Sequence, residues 1–499
     1  RAVLDIPHRG ATLLGALLPL RDGDPGCPEQ GRSLVELAER LIFNQQGPQG
    51  KLKSTLVVDI TMAFSDDLDG STTITGIYAH MVLDSRGNPT VESYCCIGDV
   101  CARASVPSGA STGSHEAVEL RDGGSRWGGK GVDGAIKNVN GPIMNAIVGM
   151  DVDDQEMIDD KLCALAGTGK RNLGANATLG VSIACLRMAH KKNPGGPDTL
   201  WTTIAYLFRP TDYHAGNNIL PVPLMNILNG GAHTSSNVDI QEFMIVPHGF
   251  DDFQEAVRAG VEVYHSLRSV LEDDGLLGGI GDEGGFAPDL PSNEHGLGYI
   301  LKAIERAGYE PGKQISIALD CAAQEFFDDD FYHIDGRKLT GSDLGHLYSE
   351  WLQSYPIVSI EDPFGEDDWD SWVEFTQREG RRVQIVGDDL YVTNPKRLER
   401  GINAGATNAI LIKPNQIGTV TETLEVIRMA KQAGLATVIS HRSGETSDDF
   451  IADLAVGTNA GQIKTGAPAR SDRTSKYNQL LRIWDHIGEH DGTTYADLF

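Results

Sequence analysis

No apolar run in this chain of 499 residues approaches the roughly 20 needed to cross a bilayer, so no membrane span is expected. Basic charge is scarce as well, with 42 Lys and Arg against 70 Asp and Glu and a formal net charge of -28. No Lys/Arg-rich run is present to follow a phosphate backbone, which argues against a nucleic-acid partner. The seven cysteines, at positions 27, 95, 96, 101, 163, 185 and 321, form neither a C-x-x-C pair nor a Cys/His zinc spacing. An odd number in so long a chain implies reduced, intracellular and mostly buried thiols, with a disulfide framework as the alternative; the cytoplasm is the expected setting and an organelle is left open. The length exceeds what one hydrophobic core usually supports, so at least two domains are expected.

What is present is a long alternation of apolar runs and helical patterns from about residue 220 onward. LPVPLMNIL and DIQEFMIV open it, and ISIALD, IVSIEDPF, AILIK and TVISH follow, each paired with an amphipathic stretch. This pattern implies parallel strands with helices outside, closed into a β/α barrel, with an open doubly wound sheet as the alternative. Glycines after the helices, at Gly380, Gly405, Gly434 and Gly461, are the expected C-terminal stops.

Residues 74–215 read as an α+β capping domain before a barrel of residues 216–499. TVESYCCIG and VCARASVP alternate like an antiparallel meander turning at Gly98-Asp99, and helical stretches follow near 133–148, 153–166 and 176–190. Between them lies VPSGASTGSHE, a small-residue loop able to fold over a ligand, or else an ordinary flexible loop. Residues 1–73 form an extension outside both patterns. Ser33 and Glu36 make a capping box before an apolar helix face, and Asp66, Asp67 and Asp69 read as a linker, so the extension is a short docking helix for an extra partner or a poorly structured tail. ATLLGALLPL resembles a targeting core, but the chain begins at Arg and carries ten acids before residue 70, which argues against an intact transit peptide.

Six residues end successive apolar runs: Asp320, Glu361, Asp388, Lys413, His441 and Lys464, at spacings of 41, 27, 25, 28 and 23. Strand-end residues of a closed parallel barrel converge on one face, where such enzymes do their chemistry. Three acids on successive strands offer hard oxygen ligands suited to Mg²⁺. Lys413, beside such a metal and a second ammonium at Lys464, is expected to have its pKa lowered toward that of a working base, and a simple anion-binding lysine is the alternative. GDEGGFAP places Glu283 between glycines as a candidate acid, with Glu242 and His233 on the same wall. SHRSGET supplies His441, Arg442 and Ser443, suited to a phosphate, with a carboxylate clamp or surface ion pair as other uses.

The wording of these segments resembles the enolase family. The matching text is LDSRGNPTVE at 83–92, VPSGASTG at 106–113, QEFMI at 241–245, GDEGG at 281–285, and then SIEDPF, VGDD, LIKPNQIGT, SHRSGET and IKTGAP. LIKPNQIGTVTETLE and VPLMNILNGGAH look closer to bacterial-type than to animal members. The resemblance implies the reversible dehydration of 2-phosphoglycerate to phosphoenolpyruvate with two Mg²⁺ ions. Lys413 matches the base at C2, and Glu283 the acid at the C3 hydroxyl, supported by Glu242. Asp320, Glu361 and Asp388 match ligands of the first Mg²⁺, and Ser111 a ligand of the second, which arrives with substrate. Lys464 matches the residue facing the substrate carboxylate, Arg442 and Ser443 the phosphate binders, and His233, His441 and Gln241 further active-site positions. A homodimer is also implied. Two departures stand out: His80 replaces the family's usual Arg, and the segment after Asp320 looks short.

Overall fold

The structure, a computed structural model, describes residues 70–109, 113–192, 199–209, 218–231, 234, 236–488 and 494–496. All belong to one compact unit of the chain, residues 68–499. The capping box at Ser33 and Glu36 and the linker acids Asp66, Asp67 and Asp69 lie outside the described residues.

Period-2 alternation produces the first layer. Strands β1 (Gly76–Leu83), β2 (Pro89–Ile97) and β3 (Val100–Ser105) form an antiparallel meander, with Gly98 at φ 57° in the two-residue turn between β2 and β3. Ile77, Ala79, Val91, Cys95 and Ala104 are buried on this sheet. Helices α1 (Gln155–Ala166) and α2 (Ala175–Lys192) follow, and α2 is buried almost all round. Gly180 permits its close approach to the sheet, because a Cβ there would meet Ser93 Oγ at 2.6 Å.

The same turn corrects the expectation of reduced cysteines throughout. Register places Cys96 opposite Cys101, and a disulfide joins them. Among the described residues Cys95, Cys163, Cys185 and Cys321 are free. Spacing motifs missed the pair because it is made by a hairpin turn.

Eight strands then close into a barrel: β4 (Val222–Asn229), β5 (Glu242–Val246), β6 (Ser316–Asp320), β7 (Ile357–Glu361), β8 (Gln384–Gly387), β9 (Ala409–Ile412), β10 (Ala436–Ser440) and β11 (Gly461–Lys464). Each neighbours the next, and β11 pairs with β4 to complete the ring. The barrel is not wholly parallel, as the alternation had implied: β5 runs antiparallel to both β4 and β6. No helix occurs among the described residues between β4 and β5, and a direct connection returns the chain in the opposite sense. The central strands are buried on both faces, which explains their continuous apolar text.

The outer helices carry local start signals. They include α3 (Phe253–Asp273), α4 (Asn293–Arg306), α5 (Gly341–Ser354), α6 (Trp369–Glu379), α7 (Pro395–Ala404), α8 (Val420–Gln432), α9 (Phe450–Gly457) and α10 (Ser471–Gly488). Thr340 and Asp343 form a reciprocal capping box on α5, and Asn394 caps α7 ahead of Pro395. Gly405 and Gly434 take the left-handed conformation that ends a helix. Gly380 does not, with φ -63°, and Gly461 opens β11 instead of stopping α9. The short segment after Asp320 folds as a small antiparallel meander over residues 327–339.

Polar seams join the first layer to the barrel. Ser108 and Gly444 exchange backbone hydrogen bonds of 2.7 and 2.9 Å. Arg187 on α2 donates two hydrogen bonds to Asp448, at 2.6 and 2.8 Å, and Thr178 donates to the Gly418 carbonyl at 2.8 Å. No helix among the described residues is long and apolar enough to cross a membrane.

Candidate active site

Strand direction decides which residues meet. Asp320, Glu361 and Lys464 end β6, β7 and β11, while Asp388, Lys413 and His441 directly follow β8, β9 and β10. Because β5 runs the other way, its first residue, Glu242, arrives at the same face. A cavity there is lined by ten of the residues singled out from sequence: Gln241, Glu242, Glu283, Asp320, Asp388, Lys413, His441, Arg442, Ser443 and Lys464. Glu361 lies just behind, in contact with Lys464. Ser111 and His233 fall outside the described residues.

Lys464 is fully buried and anchors a row of acids. Its Nζ lies 2.7 Å from Asp320 Oδ2, 2.9 Å from Glu361 Oε1 and 3.1 Å from Glu242 Oε1. Burial opposes its charge, but Asp320, Glu242 and Glu361 together hold its pKa well above the usual value. The three expected metal ligands are therefore divided. Asp320 and Glu361 flank Lys464, whereas Asp388 groups with Asp362 and Asp389 and pairs with Lys413.

Asp388 dominates the electrostatics of Lys413. Burial works against its ammonium, but the Asp388 carboxylate against it more than offsets that, and its pKa is raised, not lowered. The expected lowering was for a lysine beside a bound cation and Lys464; without that cation Asp388 is the group that sets the charge of Lys413.

Three further groups shape the walls. Glu283 is buried on its glycine loop, where Asn226 Nδ2 donates to Oε2 at 3.0 Å and His441 Nε2 lies 3.2 Å from the same oxygen. Arg442 donates to both oxygens of Glu116, at 3.0 and 3.1 Å, and to Asn415 Oδ1 at 3.1 Å. Gln241 Nε2 donates to Asp320 Oδ2 at 3.4 Å.

Sequence reasoning passed over Asp362, Asp389, Glu116 and Arg473. Asp362, at φ 41°, turns back to accept the backbone N–H groups of Asp388 and Asp389, at 2.9 and 2.8 Å. Its signal was the doubled acid in IVSIED and VGDD, read as one acid each. Arg473 and Lys476 sit on the buried face of α10 among Tyr477 and Leu480, and a basic pair at helical spacing on an apolar face was the available clue.

The donor set suits a divalent metal ion. Six carboxylates, those of Glu242, Glu283, Asp320, Asp362, Asp388 and Asp389, face three basic side chains, Lys413, Arg442 and Lys464. Burial first, and then mutual repulsion, pushes Glu242, Glu361 and Asp362 well above the carboxylate range and Asp389 up to about 8. Glu361 Oε2 and Gln241 Oε1 are buried without a hydrogen-bond donor among the described residues. A pocket short of positive charge, with hard oxygens to spare, fits Mg²⁺ far better than a soft metal.

The known-family comparisons agree with this architecture. Residues 74–194 match the family described as "Enolase, N-terminal domain", and residues 217–497 match "Enolase, C-terminal TIM barrel domain". With both domains matched in order over most of its length, and with the closed barrel and acid-rich mouth already described, the chain belongs to the enolase family.

Proposed function

We propose that this member of the lyase-bearing enolase superfamily interconverts 2-phosphoglycerate and phosphoenolpyruvate. The observation that carries this reading is the juxtaposition, in one cavity, of a buried lysine, a buried glutamate, a carboxylate row and a basic Arg-Ser pair. In the ring of eight strands β9, which precedes Lys413, stands diametrically opposite β5, which begins with Glu242. A substrate between them would meet a base on one side and acids on the other.

The chemical difficulty is the proton at C2. It lies next to an ionised carboxylate, so its removal concentrates two negative charges on one small group. Lys413, once its proton is lost, accepts the C2 proton. Glu283 supplies a proton to the C3 oxygen as the hydroxyl departs, and Glu242 supports it. Lys464 faces the substrate carboxylate, and Arg442 and Ser443 take the phosphate, where a guanidinium fork suits paired oxygens. Asp320, Glu361 and Asp388 would hold one Mg²⁺ and Ser111 would contribute to a second; bound there, the ions offset the charge developing on the carboxylate. They would also reverse the environment of Lys413, since an ion drawing on Asp388 removes the carboxylate that now holds the ammonium charged.

The decisive experiment uses Lys413→Ala with purified protein, saturating Mg²⁺ and 2-phosphoglycerate. Loss of C2 proton exchange with Mg²⁺ binding retained is expected, and exchange at the unmodified rate would reject Lys413 as base. Absence of phosphoenolpyruvate with the unmodified protein would reject the reaction itself, and turnover of a non-phosphorylated sugar acid would redirect the reading within the superfamily. The family reading also carries a homodimer, which sedimentation of the full chain tests.

A further inference from the structure

Arg473 is fully buried, yet most of its bonding goes to the wall of the cavity and not to an acid. Nη1 donates to His441 Nδ1 at 2.5 Å and to the carbonyl of Arg442 at 2.6 Å. Nη2 donates to the carbonyl of Ser443 at 2.7 Å and to that of Asp282 at 3.1 Å. Nε lies 2.8 Å from Asp472 Oδ2. One guanidinium thus touches both loops that carry the proposed acid, the proposed phosphate binders and the histidine between them.

The contact with His441 has a chemical consequence. A guanidinium has five N–H donors, no acceptor, and does not lose its proton in proteins, so in this hydrogen bond the imidazole must accept. Nδ1 therefore keeps its lone pair, and the single proton of a neutral ring resides on Nε2. That nitrogen lies 3.2 Å from Glu283 Oε2, and the ring lines the cavity.

We propose that Arg473 is a positioning residue that fixes His441 as a neutral Nε2–H tautomer, making His441 a hydrogen-bond donor toward Glu283 and the substrate and removing it from any role as proton acceptor. The proposal deepens the reading of this site as an enolase centre and rests on it for the catalytic consequence alone. Asn226 already donates to Glu283 Oε2, and His441 Nε2 stands 3.2 Å from the same oxygen, close enough to donate once the two side chains align, although it completes no hydrogen bond as placed. The surroundings agree. Burial, opposed by Glu283 but reinforced by the Arg473 and Lys464 cations, brings the imidazole down to about 3, so the ring stays neutral.

Arg473 as a mere staple of two loops would make the same carbonyl contacts, and the test must separate the two roles. With ¹⁵N-histidine in the full-length protein and no substrate, the ring signal lost in His441→Gln identifies His441. Between about pH 6 and pH 8 it is expected to show an unprotonated Nδ1 and a protonated Nε2. A doubly protonated ring, or a proton on Nδ1, overturns the proposal without any substitution of Arg473. In Arg473→Met the ring should lose this single tautomer. kcat should then fall roughly tenfold to a hundredfold, the usual cost of removing a group that orients a direct contact, while KM changes by less than about threefold. Arg473→Lys, which keeps one donor for Nδ1, should restore the tautomer and part of kcat. Equal losses in Met and Lys variants with an unchanged ring signal would leave Arg473 as a staple only. Failure of the unmodified protein to turn over 2-phosphoglycerate would reject the reaction and leave the tautomer measurement standing.

Discussion

Glu242 and Asp320 face each other in register across antiparallel strands β5 and β6, and Asp320 pairs in turn with Glu361 on β7. Three carboxylates thus stand in one row, and the Lys464 ammonium lies within 3.1 Å of each. Removing one partner of a buried charge cluster costs about 3–5 kcal/mol, because the remaining charges lose their compensation. Lys464→Met should therefore unfold at clearly lower temperature in metal-free buffer. Added Mg²⁺ should raise its melting temperature more than that of the unmodified protein, since the ion replaces the missing positive charge. Melting curves in chelator and in Mg²⁺ measure both, and identical curves for the two proteins in chelator would reject the cluster as a stabilising feature.

Much of this site could be read from sequence because a strand buried on both faces writes an uninterrupted apolar run, and its last residue is conspicuous when charged. Asp320, Glu361 and Lys464 are of this kind. Glu242 was harder, since it begins its strand, and only the antiparallel sense of β5 brings it to the mouth. Asp362 was hidden next to Glu361, where alternation sends neighbouring side chains apart; the positive φ at Asp362 breaks that rule. Arg473 was passed over: its pairing with Lys476 on an apolar helix face marks it as buried, but nothing local says that this face of α10 meets the 441–443 loop.

The hairpin disulfide makes a separate prediction. Cys96 and Cys101 are five residues apart, so the ring they close is short and its loss returns little chain entropy to the unfolded state. Cys101→Ser should lower stability by about 2 kcal/mol, the loop-closure value for so small a ring. Activity should not change, since neither cysteine lines the cavity. Alkylation of the denatured protein without reductant, followed by peptide mass analysis, should leave Cys96 and Cys101 unlabelled while Cys95, Cys163, Cys185 and Cys321 react. Label on Cys96 would show that the bond does not form.

Asp453 on α9 should give stability a pH dependence that has nothing to do with catalysis. Its carboxylate is buried, accepting from the Trp201 N–H at 3.2 Å and from Gln479 Nε2 at 3.3 Å, and burial, with Asp449 adding and Arg187 opposing, pushes it from 3.8 up to about 8. The folded protein therefore keeps a proton that the unfolded chain releases. This favours folding fully below the unfolded pKa of 3.8 and is lost as pH rises toward about 8. Asp453→Asn, neutral at every pH, should remove a slope of at most about 1.4 kcal/mol per pH unit across that window. Urea midpoints for both proteins at about pH 5 and pH 8 check the sign: the asparagine variant should gain on the parent as pH rises. Parallel curves would mean that the buried acid ionises at its ordinary value.

The grip of Glu116 on Arg442 is the point at which the loop following residue 112 meets the proposed phosphate site. Arg442 donates to both carboxylate oxygens, and its side chain is only 3% exposed, so Glu116→Ala leaves a buried guanidinium short of its principal counter-charge. Asn415 and the more distant Asp388 offset part of that loss, so the cost should fall near the lower end of the roughly 3–5 kcal/mol seen when such a pair is broken. If Arg442 is a phosphate binder, inorganic phosphate can supply the missing negative charge through the same forked donors. Thermal melts should then show phosphate raising the melting temperature of Glu116→Ala by more than that of the unmodified protein, whereas chloride at equal ionic strength should not. A variant destabilised as expected but indifferent to phosphate would mean that the Arg442 fork does not face the anion, and the phosphate contact would have to be sought at Ser443 alone.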